Sequence, residues 1–555
     1  MVLSASFIFL ALALSALISA ADVNYVFNVD NSVVTPDGFD RTGVIVNGVY
    51  PGTLIQAQKD DVVHITANNN LTNPTMRRSL TIHWHGLFQM RTASEDGPAF
   101  VNQCPVSPQH SYTYDIPLNG QAGTFWYHSH LSSQYVDGLR GPFVVYDAED
   151  PHLSLYDVDD ENTVITLADW YHLPGVGIEE KYLFESPFHE PVPDTGLING
   201  VGRYNGGPQV PWARINVEQG KRYRFRVINI SGYAAFTFSV DNHDLKIIEA
   251  DGISHEPVDV EGFEILVGQR YSAVLEANQP VDNYWISAPM TLQHAVDNDN
   301  LDTDNVFAVL HYIGAPENAD PTGKPKNLPT ILTAAAADIA DVAGRLEIAA
   351  KGGLKLLDES DLHPLVNPEA PGGSGPADKV FDLNFQRDSN TGELEWTIND
   401  IKYESPDLPT LLNIMANNFT TQDQFTQSEH TFVLEKDDIV ELQIHGSANG
   451  HVHPFHLHGH VFSVVQAMTG APNFVNPPQR DVIGVGGSTV IIRFKADNPG
   501  PWFLHCHIDW HLVAGLAVVF AEAPTEQRVG PQSQIIKQEW LDLCPIYQAL
   551  PPELQ

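Results

Sequence analysis

Positive charge is scarce in this sequence. Its 555 residues hold 29 lysines and arginines against 69 aspartates and glutamates, a formal net charge of −40. A surface of that sign repels phosphate backbones, which argues against a nucleic-acid partner. It favours solubility in acidic surroundings, where part of the charge is neutralised. Cysteine is scarcer still: Cys104, Cys506 and Cys544 are the three copies, enough for one internal bridge at most. Long apolar runs are missing except at the start. Residues 1–20, with Phe7-Ile8-Phe9-Leu10-Ala11-Leu12-Ala13-Leu14 and small residues from Ser15 to Ala21, read as a secretory signal. No Lys or Arg precedes that run, so the terminal amine alone supplies its positive end. A retained anchor is the alternative, though the run is short for a bilayer span. The expected product is a secreted, extracellular chain from Ala21 or Asp22, with no membrane association once the signal is gone.

What is plentiful points to turns and strands. Glycine (41) and proline (39) are abundant while charged residues make up 18%, as in turn-rich all-β proteins. The length after the signal suits two to four domains. An internal repeat narrows the count. Val46-Asn47-Gly48, Ile198-Asn199-Gly200 and Ile398-Asn399-Asp400 are each followed by a second turn signal, at Lys59-Asp60-Asp61, Glu218-Gln219-Gly220 and Glu435-Lys436-Asp437. Each leads into an alternating strand, such as Tyr223-Arg224-Phe225-Arg226-Val227. Three copies predict three related β-sandwiches, over 21–150, 151–315 and 316–555. Within the third, 321–377 reads as a connector with one short helix, from its Ala334–Ala337 run and its Pro371-to-Pro376 glycine stretch.

The chemistry lies in histidine. His505-Cys506-His507 is followed by His511, and three further His-x-His pairs occur: His83 with His85, His128 with His130, and His456 with His458. In extended chain, side chains alternate between faces. His505 and His507 then point one way and Cys506 the other, joining two metal sites through one backbone. His453, Cys506 and His511 supply two imidazoles and a thiolate, the ligand set of blue copper. Spacing alone does not choose among pairs, since His451 with His453 and His458 with His460 fit it too. Two pairs lie in the first domain, two in the third and none in the second. A site built from both ends requires those domains to meet, leaving the second as spacer and wall of a substrate cleft.

These four segments resemble the four copper-binding signatures of multicopper oxidases, above all those of fungal laccases, and the likeness runs from about Asn24 to the C-terminus. It implies three consecutive cupredoxin-like Greek-key β-sandwich domains and four copper ions. Type 1 copper would take His453, Cys506 and His511. Type 2 would take His83 and His456. The type 3 pair would take His85, His128 and His507, and His130, His458 and His505. His451 and His460 fall outside the pattern and read as supporting or structural residues. The implied reaction is one-electron oxidation of small phenolic or aromatic reductants at type 1 copper, coupled to four-electron reduction of O2 to two waters at the three-copper cluster. Asp509 and Asp96 match carboxylates the family uses near that cluster for proton delivery. For Asp96 a plain turn role is the alternative, because Gly97 and Pro98 follow it. Leu516, ten residues past Cys506, falls at the axial position. Leucine cannot coordinate, which argues for a moderate to high potential.

The resemblance also bears on the frame. With Cys506 on copper, Cys104 and Cys544 are left to bridge the first domain to the tail, two free buried thiols being the alternative. The second bridge that similar laccases often carry would fall at Val136 and Gly232, so the first two domains should be less tightly fastened. Asn70, Asn229 and Asn418 are candidate glycan sites. A monomer is expected.

On the substrate side the likeness weakens. The acid that similar laccases place near the type 1 histidine falls at Tyr233, and a tyrosine with its pKa near ~10 is a poor base in acid. Glu190, in Phe188-His189-Glu190-Pro191, is the candidate replacement. Met290, on the opposite wall, also departs from the usual residues. Two other functions stay open. A metal-ion oxidase acting on Fe(II) or Mn(II) would need carboxylates around the type 1 site, where Glu190 and Asp194 could contribute. A non-catalytic copper-binding or electron-transfer protein would need only the His453, Cys506 and His511 site.

Overall fold

The computed structural model describes residues 20–292, 298–323, 325, 354–390, 392–446 and 451–554. The expected signal and most of the expected connector, with its Ala334–Ala337 run, lie outside these residues. In the described part of the connector there is a short 3-10 turn at Glu359–Asp361. Among the described residues no helix is long and apolar enough to cross a membrane.

Among the described residues six sheets make up the fold, two in each third of the chain. The repeated turn signal explains why they resemble one another. Asn47, Asn199 and Asn399 adopt positive φ of 52°, 49° and 52°, and the next residue, Gly48, Gly200 or Asp400, is positive too. Two successive left-handed residues make the tight turn that matches strand twist, and Asn, Gly and Asp tolerate it best. Each asparagine side chain then accepts a backbone N–H from the neighbouring strand: Asn28 at 2.9 Å, Thr166 at 2.7 Å and Asn384 at 2.9 Å.

The strands around each turn follow one plan. Asp22–Val34 pairs antiparallel with Arg41–Val46 and parallel with Val62–Asn69. Val164–Trp170 does the same with Thr195–Ile198 and Arg222–Asn229, and Lys379–Asp388 with Glu395–Ile398 and Ile439–His445. A parallel neighbour next to an antiparallel one requires the chain to cross between sheets, and so builds a sandwich rather than a meander. This is the all-β, three-sandwich architecture that the repeat and the resemblance predicted.

The ends of the chain are tied together. Cys104 and Cys544 form a disulfide across 440 residues of sequence. It seats the helix Gln538–Gln548 on the first sandwich, where Trp540 Nε1 also donates to the Asn102 carbonyl at 3.0 Å. Lys537, just before that helix, pairs with Asp115 at 3.0 Å and Glu95 at 3.2 Å.

Two further expectations meet the structure differently. Asn229 is fully buried, and its Nδ2 donates to the Ala234 and Ile265 carbonyls at 2.9 and 3.0 Å. That amide cannot carry a glycan in the folded chain, so the Asn229 candidate is withdrawn, whereas Asn70 and Asn418 are exposed. Val136 and Gly232, in contrast, do face each other. A Cβ placed on Gly232 would lie 3.7 Å from Val136 Cβ and 2.4 Å from its Cγ1, so the valine fills the space a bridge would occupy. The Cβ separation is that of a disulfide. The double variant Val136→Cys/Gly232→Cys should therefore oxidise spontaneously and stabilise the chain by about 2–4 kcal/mol. A thiol count and thermal unfolding with and without reductant would check this.

Candidate metal centre

Two antiparallel strand pairs, one from each end of the chain, carry the histidines. In the first sandwich Ile82–His85 runs against Gly123–Ser129, with His83 opposite His128. In the third, His453–Leu457 runs against Gly500–Cys506, with His456 opposite His505 and Phe455 opposite Cys506. The pleat sends His505 and Cys506 to opposite faces. His507 lies just past the strand end, and its ring turns back to the face of His505.

On that face the imidazoles converge. His505 Nε2 lies 3.1 Å from His458 Nε2 and 3.4 Å from His130 Nε2. His507 Nε2 lies 3.1 Å from His85 Nδ1, with His128 beside them. His83 and His456 complete the group, each within reach of His458. The outward nitrogens are tethered as donors. Nδ1 of His83, His128, His456 and His505 donates to the carbonyls of Asp96, Ser129, Asp481 and Cys506 at 2.8 to 2.9 Å. His458 Nδ1 donates to Asp96 Oδ2 at 2.9 Å.

With its proton used outward, each ring presents a lone pair inward. Nε2 of His83, His128 and His456 is buried without a hydrogen-bond partner. Burial, then the neighbouring imidazoles, hold His85, His128, His130, His456, His458 and His507 well below the ordinary histidine range, and burial pushes His505 down to about 3. Neutral rings aiming lone pairs at one another repel unless a cation lies between them. Three nitrogens about 2.0 Å from a shared ion sit roughly 3.3–3.5 Å apart, close to the spacings found. The donor set therefore fits metal ions, and imidazole suits copper.

On the opposite face, Cys506 Sγ lies 3.5 Å from His511 Nδ1 and 3.7 Å from His453 Nδ1. Burial pushes the Cys506 thiol far up, so only a bound cation would hold it as thiolate in this apolar site. Trp396 packs on both rings, 4.6 Å from His511 and 4.9 Å from His453. Leu516 is fully buried and offers no ligand atom.

The carboxylates have distinct places. Asp96 is buried and touches both His83 and His458. Asp509 is also buried, and burial with the nearby Glu179 charge holds its carboxyl well above the usual range. It lines a cavity of about 340 Å³ that reaches His128, His130, His505 and His507. Asp481 went unnoticed in the sequence. Its backbone carbonyl takes the His456 proton, and its Oδ1 lies 3.3 Å from His85 Nε2. Nothing in Gln479-Arg480-Asp481 marks it, because its contacts come from elsewhere in the chain. His460 lies away from the cluster, paired with buried Glu522 at 2.9 Å.

Among the described residues, Glu190 is the acid paired with His511. Glu190 Oε2 lies 3.3 Å from His511 Nε2, and its Oε1 accepts from Tyr182 OH at 3.1 Å. Tyr182 OH in turn accepts from Trp396 Nε1 at 3.0 Å. Next to this chain opens a cavity of about 600 Å³, lined by Tyr171, His172, Tyr182, His189 and Asp194 among others. Asp194 accepts from His172 N at 2.7 Å and Asn300 Nδ2 at 2.8 Å. Tyr233 and Met290 are core residues, buried in the apolar interior, and neither lines this cavity.

Comparison with known proteins agrees with this construction. Three multicopper oxidase family models match residues 28–150, 161–315 and 403–526. Laccase-4 of Thanatephorus cucumeris is 55% identical over 504 residues, covering 90% of each chain. Laccase-2 of Agaricus bisporus is 50% identical over 555 residues, covering 100% of this chain and 99% of its own. Among solved structures, the laccase from Botrytis aclada superposes with a TM-score of 0.80 at 30% identity, over 96% of this chain and 93% of that one. Fet3p, described as a multicopper oxidase that functions in iron import, gives 0.80 at 28% identity, covering 95% of each chain. With three matched models, and relatives half identical along its length, this chain belongs to the multicopper oxidase family.

Proposed function

We propose that the chain is a laccase-like oxidase, taking single electrons from small phenolic or aromatic compounds and using four of them to reduce O2 to two waters. The observation that carries this reading is the backbone junction at His505-Cys506-His507, with a thiolate site on one face and an imidazole cluster on the other. A copper carrier has no use for the second. The laccase names of its relatives support phenols as the reductants. Among the described residues no observation favours Fe(II) or Mn(II): Glu190 is the acid paired with His511, and Asp194 is engaged by His172, Asn298 and Asn300.

Family membership brings four coppers, and the donor sets accommodate them. We assign type 1 to His453, Cys506 and His511, type 2 to His83 and His456, and type 3 to His85, His128 and His507 and to His130, His458 and His505. Bound copper supplies the one-electron acceptance at Cys506 and the reduction of O2 at the cluster. The protein supplies the rest. His511, with its Nε2 beside Glu190, marks the entry edge for electrons. Glu190 accepts the phenol proton as the electron leaves, held for it by Tyr182 and Trp396. Asp509 passes protons from the 340 Å³ cavity toward the cluster, and Asp96 holds His83 and His458 in place. Leu516, giving no ligand, leaves type 1 copper with a higher potential than a thioether would. The domain limits 21–150, 151–315 and 316–555, secretion after loss of residues 1–20, and a monomeric state belong to the same proposal.

Replacing the thiol by Cys506→Ser should abolish the blue colour and substrate-driven O2 uptake, as read by visible absorption and an oxygen electrode. Glu190→Gln should lower kcat/KM for phenols by about 10²-fold or more, the scale of a lost general base, and affect donors that release no proton far less. Equal losses on both would remove Glu190 from the proton-acceptor role. Stripping copper should expose the histidine linkage. The buried rings have folded pKa values below the ordinary one of ~6.5, so the unfolded chain binds more protons below that pH. Stability of the copper-free protein should fall as pH drops below ~6.5, by up to about 1.4 kcal/mol per pH unit for each such ring. Urea titrations at several pH values would measure the slope.

A further inference from the structure

The second sandwich reaches the histidine cluster directly, which revises its reading as a spacer. Gly268, with φ of +84°, lies so close that a Cβ there would meet His507 Cδ2 at 2.9 Å and His85 Cε1 at 3.1 Å. Two residues on, the buried Arg270 touches all three sandwiches. Its Nε donates to the Thr124 carbonyl of the first at 3.0 Å, and its Nη1 to Gly268 O at 3.1 Å. Its fork grips Asp481 of the third through Nη1–Oδ1 at 2.6 Å and Nη2–Oδ2 at 2.7 Å.

What Asp481 does explains the grip. His83, His128, His456, His458 and His505 all direct Nδ1 outward. His85 is reversed: Nε2 faces Asp481 Oδ1 at 3.3 Å and Nδ1 faces His507 at 3.1 Å. A carboxylate beside Nε2 keeps the proton there and leaves the Nδ1 lone pair for metal. The same carboxylate is also a hazard, since Asp481 lies close enough to His85 and His456 that the three could share an ion. The Arg270 fork engages both Asp481 oxygens and balances their charge. The backbone after His85 leaves room for nothing larger: a Cβ on Gly86 would lie 2.5 Å from Arg270 Nη2 and 3.0 Å from Asp481 Oδ2.

We propose that Arg270 is a positioning residue of the oxygen-reducing centre, fixing Asp481 so that His85 presents Nδ1 to the type 3 pair and Asp481 stays off the metal. The inference rests on the reading of His85 as a type 3 ligand. Lysine would keep the charge but lose the planar fork, and Asp481→Asn would keep the shape but lose the two-oxygen grip.

The test uses copper-loaded wild type, Arg270→Lys and Asp481→Asn, measured for copper content, blue absorption and electron paramagnetic resonance. A coupled pair of Cu(II) ions is silent in resonance, and an uncoupled one is not. Both variants should keep full blue absorption, gain resonance-visible copper beyond the type 1 and type 2 ions, and lose about 10–100-fold in O2 reduction. Should one variant fail to fold, the other reads the same quantity. Wild-type resonance counts in both variants, with only a lower unfolding temperature, would overturn the proposal and leave Arg270 a structural brace. A wild type with no silent pair would overturn the underlying ligand reading, and the inference with it.

Discussion

Imidazole lone pairs brought face to face are the constraint on which this structure depends. Buried imidazole nitrogens 3.1 to 3.4 Å apart form an arrangement that apolar packing alone would not keep. The rings of His83, His128, His456, His458 and His505 are tethered from behind, and bound metal ions would turn the repulsion into coordination. The histidines come from strands near the two ends of the chain, so the fold must bring the first and third sandwiches together and hold them to within a fraction of an ångström.

Three devices serve that closure. The Cys104–Cys544 bridge draws the tail onto the first sandwich. Asp96, from the first sandwich, holds His458 of the third at 2.9 Å as well as its own neighbour His83. Arg270 of the second binds the first at Thr124 and the third at Asp481. The last two set ring orientation as well as domain position, so in this protein second-sphere chemistry and domain packing are partly the same contacts. On the electron-entry side, the Trp396–Tyr182–Glu190–His511 chain crosses between the second and third sandwiches in the same way.

Much of this was legible in the sequence where the signal is local. The Asn-Gly and Asn-Asp turns carry their positive φ in their composition, and they marked three sandwiches. The His-x-His pairs are short-range patterns, and the structure brings them together. Val136 and Gly232 were named from likeness alone and face each other across a domain boundary. Contacts set by distant segments were not legible. Asp481 and Arg270 have no local signature, since their roles come from residues far away in sequence. Asn229 satisfies the glycan pattern but lies where its amide is consumed by Ala234 and Ile265. Tyr233 and Met290 looked like pocket walls, yet their side chains are in the apolar core.

The surroundings of His511 decide what the copper core is used for. Among the described residues, the one buried carboxylate paired with His511, backed by a tyrosine and a tryptophan, suits a donor that gives up a proton with its electron, and it is a poor cage for a hydrated metal ion, which needs several oxygen ligands. The direct test is oxygen consumption by the copper-loaded protein, comparing kcat/KM for a methoxyphenol and for Fe(II) across acidic pH. A strong preference for the phenol is the predicted result. A strong preference for Fe(II) would contradict the account and place the same copper core in a metal-ion oxidase.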